Sequence, residues 1–251
     1  MTTKLAWHDL QWCLRRAPRQ LLAGMKKYGT DLIVAGGFIR SCVTNEQVND
    51  VDCFCKTKEK AREIALWLVE GDEKRVHDTD NAFTLKGFRT PIQIIHRWTF
   101  DSPEAAILSF DFTIARAAFW WDPLVPELPG EANGWSSVCE GRLYADLAGK
   151  RLIYCEPIRN EDAGGSLLRV LKFYQRGYRI PLDSLGAVLA RLMTGVKWDE
   201  VKSGESRLAR VLTGLLREVD PNVDPTHIAH LPSETAREQQ HDEKEGAEDA
   251  P

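Results

Sequence analysis

The chain lacks any apolar run near the ~20 residues that a membrane helix requires. Its first residues, MTTKLAWHDL, also lack the charged and then apolar pattern of a secretory signal. The six cysteines include no C-x-x-C pair and do not show the paired spacing of a zinc site. These absences predict a cytoplasmic protein with no membrane contact, with reduced thiols and no structural metal site.

An excess of positive charge is missing too. The 251 residues include 33 Lys and Arg against 37 Asp and Glu, a net charge of -4. This balance excludes a uniformly basic nucleic-acid binder, although arginines can still form a local basic surface. Residues 233–251 are polar, rich in acids and without aliphatic side chains beyond alanine, so they cannot bury enough surface to offset the entropy of ordering. We expect a disordered acidic tail over 221–251.

The chain does contain enough apolar residues, 43%, to form a sizeable core. Their spacing predicts alternating helices and strands. The expected elements are a leading helix over 5–26 broken near Pro18, strands over 31–35 and 50–55, a helix over 58–70, a hairpin over 82–95, a short helix over 103–108, a hairpin over 142–155 and helices from 162 to about 218. The fold class is therefore α+β, with a head over 1–122, a linker and hairpin over 123–158 and a helical domain over 159–220.

Two short signals carry chemistry. Gly36 and Gly37 close an apolar strand, and the absence of a Cβ lets backbone amides at such a turn approach a phosphate, with Arg40 one helical turn further on. Asp50 and Asp52 are two residues apart on a predicted strand, so their carboxylates share one face and suit Mg²⁺. Either signal alone also fits ordinary turn and strand structure. Together they predict a phosphate cradle linked to a metal ligand pair.

These residues resemble a known family. The glycine motif of 36–40 followed by Asp-Val-Asp at 50–52 resembles the head of the polymerase-beta nucleotidyltransferase superfamily, in particular its class II tRNA nucleotidyltransferase and poly(A) polymerase branch. Residues 110–117, 146–152 and 161–173 resemble, in order, that branch's Arg-Arg-Asp-Phe-Thr-Ile-Asn-Ala motif, its Asp-Leu-x-x-Gly-x-Leu hairpin and the start of its neck helix. The resemblance implies a nucleotidyltransferase head with a small mixed sheet and flanking helices, followed by a neck-like domain.

The sequence departs from the family pattern at several functional positions. Ser41 stands where the family has an aspartate, and Ser109-Phe110 replaces its double arginine. Gly165 falls at the place of the arginine that pairs with the base-reading aspartate, here Asp162. Gln93 occupies the strand position at which the family often carries a third acidic ligand. Base specificity is therefore not implied by the resemblance.

Asp111 is the remaining candidate for a third carboxylate. It lies in an apolar segment, where a buried acid is costly unless it is paired, hydrogen-bonded or bound to metal. The alternative is a strand-edge acid or one that contacts a ribose. In the predicted neck helix, Arg169, Lys172 and Arg176 fall on one face and Leu167, Leu171, Tyr174 and Tyr178 on the other. That basic stripe fits either phosphate contacts or a solvated helix face.

The resemblance implies an enzyme that transfers a nucleoside monophosphate from an NTP to an acceptor hydroxyl, with an RNA 3′ end as the favoured acceptor. Asp50, Asp52 and Asp111 are then the catalytic and metal-binding residues for Mg²⁺ or Mn²⁺. The nucleotide-binding residues are Gly36, Gly37, Arg40, Asp162 and Arg169. Two alternatives stay open: a toxin- or phage-type transferase that modifies a protein or blocks tRNA, and a non-catalytic nucleotide- or RNA-binding protein. The oligomeric state is not predicted.

Overall fold

The computed structural model describes residues 1–125, 134–157, 163–196, 198, 201 and 207–213. Asp162 and the predicted tail lie outside these residues. The helices are α1 (Trp7–Arg16), α2 (Arg19–Tyr28), α3 (Gly37–Val43), α4 (Lys58–Leu68), α5 (Pro103–Leu108), α6 (Leu143–Ala148), α7 (Ala163–Gln175) and α8 (Leu182–Thr194). The strands are β1 (Thr2–Thr3), β2 (Ile33–Ala35), β3 (Val51–Phe54), β4 (Val76–Asp78), β5 (Ala82–Leu85), β6 (Ile92–Ile95), β7 (Ala117–Trp121) and β8 (Trp135–Glu140).

The eight strands form one mixed sheet in the order β1-β8-β7-β2-β3-β6-β5-β4. Strands β3 and β6 are parallel, with Asp52 opposite Gln93, and the other six neighbouring pairs are antiparallel. Helices flank this sheet, so the predicted α+β fold with a mixed sheet is confirmed.

The two faces of the sheet pack against different partners. On β2, Val34 belongs to the larger core with helices α1 to α4, whereas Ile33 and Ala35 belong to a smaller core with Ile107 of α5 and with Phe110. The alternation follows from the two-residue period of a strand. On strand β3, Val51 and Cys53 belong to the larger core and Phe54 to the smaller one, while Asp52 is partly exposed.

Several predicted elements are confirmed. The leading helix is interrupted at Pro18, which lies between α1 and α2 because a proline fits the first turn of a helix but not its interior. Helix α4 is capped by the Thr57 hydroxyl, which accepts a hydrogen bond from the Lys60 amide at 3.1 Å. The hairpin of β5 and β6 also forms as expected.

The predicted hairpin over 142–155 is wrong. Residues 143–148 form α6, whose Leu143 and Leu147 are buried four residues apart on one helical face. The Asp146 side chain on this helix is fully buried. Its carboxylate accepts a hydrogen bond from the Thr113 hydroxyl at 2.8 Å and forms ion pairs with Arg142 and Arg151, each at 3.3 Å. These contacts favour a helical turn over a hairpin.

The sheet also extends past the expected head boundary at residue 122. Strand β8 follows that boundary and pairs with β7 along its whole length, Ala117 to Cys139 and Trp121 to Trp135. It also pairs with β1 at the amino terminus. Strand β8, which lies within the predicted linker and hairpin over 123–158, is therefore part of the same sheet as β2 and β3.

The second part of the chain is helical as predicted, but its buried face differs from the prediction. Tyr174 is 57% exposed, whereas Leu168, Val170 and Phe173 are buried. Helix α7 ends at Gln175, and Tyr178 reaches the core only after a turn at Gly177 with φ +86°. Helix α7 packs against α8. Among the described residues, no helix is long and apolar enough to cross a membrane.

Candidate functional site

The glycine turn between β2 and α3 has two different roles at its two residues. Gly36 has φ +83° and its amide donates a hydrogen bond to the Ala117 carbonyl at 3.0 Å. A Cβ built on Gly36 would lie 3.0 Å from two atoms of the Phe110 ring. The absent side chain therefore makes room for Phe110. The Gly36 amide is already used, so the predicted phosphate contact from this amide is not favoured.

Gly37 faces the other way, toward Arg40. A Cβ on Gly37 would lie 3.8 Å from both terminal nitrogens of the Arg40 guanidinium. The predicted neighbours Gly37 and Arg40 are thus brought together, and a positive charge stands beside a backbone with no side chain. This arrangement fits a phosphate better than either residue alone.

Arg40 also meets the second part of the chain. Its guanidinium lies 4.9 Å from the ring centroid of Phe173 on α7, and that of Arg176 lies 5.6 Å from the same centroid. The nitrogens Arg40 Nε and Arg176 Nη1 each lie 3.9 Å from one oxygen, Glu46 Oε2. The buried Tyr178 has its ring centroid 5.3 Å from that of Phe173. Arg40, Glu46, Phe173, Arg176 and Tyr178 are called the junction cluster.

The electrostatics of the junction cluster confirm that its charges are close. Burial lowers the pKa of the Arg40 guanidinium below its ordinary value, and the neighbouring Arg176 lowers it further, while Glu46, Tyr178 and Asp50 oppose the shift. Burial raises the pKa of the Tyr178 phenol, and Glu46 adds to that effect. Strand β2 pairs antiparallel with β3, with Val34 opposite Cys53. The end of β2 that leads into the glycine turn therefore lies beside the start of β3, where Asp50 and Asp52 stand.

Asp52 is the second residue of β3, and Asp50 directly precedes this strand. Both are partly exposed, and Val51 between them is fully buried. Asp52 stands opposite Gln93 on β6, and Gln93 stands opposite Thr84 on β5. The Gln93 amide nitrogen lies 3.5 Å from the Thr84 hydroxyl oxygen. The middle residue of this polar row, at the place predicted for a third acidic ligand, is therefore a neutral amide that is bound to its neighbour.

The two carboxylates fit a magnesium ion that arrives with a nucleotide. Mg²⁺ is commonly held by one or two carboxylates together with substrate phosphates. Within the described residues, no three His, Cys, Asp or Glu side chains come together as a metal-binding group. Asp111 therefore does not complete a group of three with Asp50 and Asp52, and the donors present are a pair.

Asp111 instead connects the head to α7. Its carboxylate is 5% exposed, and its Oδ2 accepts hydrogen bonds from the Ser166 hydroxyl and from Arg169 Nη1, both at 2.8 Å. Its backbone carbonyl accepts the Cys155 amide at 2.7 Å. Asp111 and Arg169, predicted as a metal ligand and a nucleotide contact, are thus brought together with each other as a buried ion pair.

Sequence reasoning missed part of this arrangement. No sequence signal points to Glu46, and the pattern of the neck helix predicts only that Arg176 and Tyr178 lie on opposite faces. The contact of Glu46 with Arg176 joins residues that lie 130 positions apart in the chain, so no local pattern predicts it. The basic stripe is also not a uniform solvated face, because Arg169 binds Asp111 and Arg176 lies beside Glu46.

A comparison with protein families finds one match over part of the chain. A model described as the Gabija anti-defense 2 family matches residues 12–125. Gabija anti-defense 2 of Bacillus phage SPbetaL7 is 31% identical over 103 residues, which is 40% of this chain and 24% of that protein. The chain thus spans about a quarter of that relative's length.

Solved structures with a similar fold are CCA-adding and tRNA-processing enzymes. The Thermotoga maritima CCA-adding enzyme complexed with tRNA matches 93% of this chain and 58% of its own, with a TM-score of 0.51 and 16% identity. A CCA-adding enzyme with CTP matches 88% of this chain and 51% of its own, with a TM-score of 0.51 and 19% identity. A tRNA-processing enzyme in an apo form matches 79% of this chain and 57% of its own, with a TM-score of 0.53 and 18% identity. The chain has a fold similar to that of these enzymes and spans little more than half of their length.

Proposed function

We propose that the protein is a metal-dependent nucleotidyltransferase that moves a nucleoside monophosphate from an NTP to an acceptor hydroxyl. The observation that carries the proposal is the position of Arg40, whose guanidinium lies beside Gly37 at the end of β2 that is adjacent to the start of β3. On this proposal a phosphate-binding cation, an open backbone turn and the Asp50 and Asp52 carboxylates act together in one region of the fold.

Each residue of this region has a distinct part. Arg40 and the backbone at Gly37 bind the triphosphate, while Gly36 shapes the turn by admitting Phe110. Asp50 and Asp52 would hold Mg²⁺ or Mn²⁺, which supplies neutralisation of the phosphate charge and activation of the attacking hydroxyl. The Asp111–Arg169 pair fixes α7 against the head, and so positions the surface on which the nucleotide and acceptor are held.

An RNA 3′ end is the proposed acceptor. The support is the fold, which is similar to that of a CCA-adding enzyme complexed with tRNA. The nucleotide itself is not assigned, because Asp162 lies outside the described residues and Gly165 replaces the family's second base-reading residue.

The second candidate is a phage-type transferase that acts against a host defence by modifying a protein or blocking tRNA. The observation that favours it is the match of residues 12–125 to the Gabija anti-defense 2 family. This match includes Gly36, Gly37, Arg40, Asp50 and Asp52, so both candidates use the same chemistry and differ in the acceptor.

The test is transfer of label from each of the four α-labelled NTPs, in Mg²⁺ or Mn²⁺, to total RNA and to total protein. The variant is Asp52→Asn, which keeps the size of the side chain and removes its charge. The matched control is Asp101→Asn, at an exposed aspartate outside the region. We expect label on RNA with the wild type and the control, and a loss of at least about 100-fold with Asp52→Asn.

The outcomes separate transfer to RNA from transfer to protein. Label on protein in place of RNA would favour the phage-type transferase. Metal-dependent NTP binding without transfer to either acceptor would show that the fold has lost its chemistry and would overturn the proposal.

A further inference from the structure

The junction cluster contains two buried donor groups without a hydrogen-bond partner among the described residues. Arg40 Nε and the Tyr178 hydroxyl are both buried, and neither has a hydrogen-bond partner within the described part of the chain. An unsatisfied buried donor of this kind costs free energy, and a charged one costs more. Two such groups in one cluster indicate a place built for a ligand that accepts hydrogen bonds.

Glu46 is near these donors but does not satisfy them. Its Oε2 lies 3.9 Å from both Arg40 Nε and Arg176 Nη1, which is an ion-pair distance and longer than a hydrogen bond. The carboxylate also carries one negative charge against two guanidinium groups. It therefore only partly compensates the cluster, and an anion with more charge and more acceptor oxygens would do so better.

The backbone that carries Glu46 is held in place independently of its carboxylate. Arg16 on α1 donates hydrogen bonds to the Ser41 carbonyl at 3.2 Å and to the Glu46 carbonyl at 2.9 Å. The Glu46 amide donates to the Ser41 carbonyl at 2.8 Å. Because these bonds fix the main chain, the Glu46 side chain, which is 31% exposed, can turn toward solvent without unfolding the segment.

We infer that Glu46 is an internal competitor for the triphosphate: its carboxylate occupies the anion position between Arg40 and Arg176, and a bound polyphosphate displaces it. This inference rests on the proposed function, since Arg40 is also the proposed triphosphate ligand. It adds Arg176 and Tyr178 as phosphate ligands from the second part of the chain. Binding of a nucleotide then replaces a weak internal ion pair with full hydrogen bonds across the junction of the head and α7.

Displacement has a consequence for selectivity. A ligand must repel Glu46 and compensate two cations at once, so a triphosphate is favoured over a monophosphate. The internal carboxylate thus lowers affinity for all anions while it discriminates by charge.

The experiment measures binding of inorganic tripolyphosphate by calorimetry to the full chain. It uses two variants with opposite expected effects. Glu46→Gln removes the competitor, and we expect binding about 5-fold tighter or more. Arg176→Met removes a ligand, and we expect binding about 5-fold weaker or more. The control is Glu63→Gln, which changes an exposed glutamate that pairs with Lys60 at 2.6 Å, and we expect unchanged binding.

A purely structural role for Glu46 gives a different pattern. Loss of a stabilising ion pair would lower the melting temperature in both variants and would leave binding unchanged or weaker in both. That pattern, or no tripolyphosphate binding to either the wild type or Glu46→Gln, overturns the inference. Tighter binding by Glu46→Gln in a protein that transfers no nucleotide would instead leave the inference standing and contradict the proposed function.

Discussion

Replacement of Gly36 by alanine tests the packing of the glycine turn. The substitution has two separate costs. An L-residue at φ +83° and ψ -131° is strained by about 1–3 kcal/mol. A Cβ placed 3.0 Å from two carbons of Phe110 overpacks the site, which costs about 1–3 kcal/mol more. We expect Gly36→Ala to lower the free energy of unfolding by about 2–6 kcal/mol in urea denaturation.

Gly71→Ala is the matched control. Gly71 has a similar φ of +81°, but a Cβ there would meet no atom within 4 Å. Only the backbone cost of about 1–3 kcal/mol remains.

A double-mutant cycle with Phe110→Ala isolates the steric part. In the Phe110→Ala background, Gly36→Ala should cost about 1–3 kcal/mol less than in the wild type, because the ring is gone. Gly71→Ala should cost the same in both backgrounds. Additivity of Gly36→Ala and Phe110→Ala within about 0.5 kcal/mol would refute the steric reasoning.

Three further expectations concern stability. Arg169→Ala leaves the buried Asp111 carboxylate without its cation and should lower the free energy of unfolding by about 2 kcal/mol or more; a loss below about 0.5 kcal/mol in urea denaturation would contradict the buried pair. Burial raises the pKa of the Cys55 thiol to about 12, so its contribution to stability is complete below the pKa of the unfolded thiol, near 8.5, and is lost as the pH rises toward 12. Between pH 8 and pH 11 the free energy of unfolding should therefore fall further in the wild type than in Cys55→Ala. An equal fall in both proteins would exclude this thiol as the cause. Thr57→Ala removes the cap of α4 and should cost about 1 kcal/mol, whereas a change of a few tenths, measured in urea, would show that the cap is dispensable.

The sequence predicts the elements whose signals are local. Helix α4 has apolar residues at helical spacing and a threonine cap, and both lie within a dozen residues. The burial of Val51 between the partly exposed Asp50 and Asp52 agrees with the two-residue period of a strand. Such features depend on neighbours in the chain, so the folded structure does not alter them.

The features that the sequence does not predict depend on distant partners. Gly149 is a turn signal and therefore favours a hairpin over 142–155, but a glycine also ends a helix, which is its place after α6. The partners of Asp111 are Ser166 and Arg169, more than 50 residues away, and its burial gave no means of choosing between them and a metal. The junction cluster is not predicted either, because Glu46 and Arg176 are also far apart in the chain.

The position of β1 has a consequence for the order of folding during synthesis. The first residues, Thr2 and Thr3, pair with Glu140 and Cys139. One edge of β7 pairs with β8, so this edge has no partner strand until β8 has been synthesised. Strand edges that lack a partner are prone to join other chains, and pairings between distant residues form slowly. A nascent chain that ends at residue 125 would therefore carry an open β7 edge and an unattached amino terminus. Completion of the head must wait until residue 140 has left the ribosome.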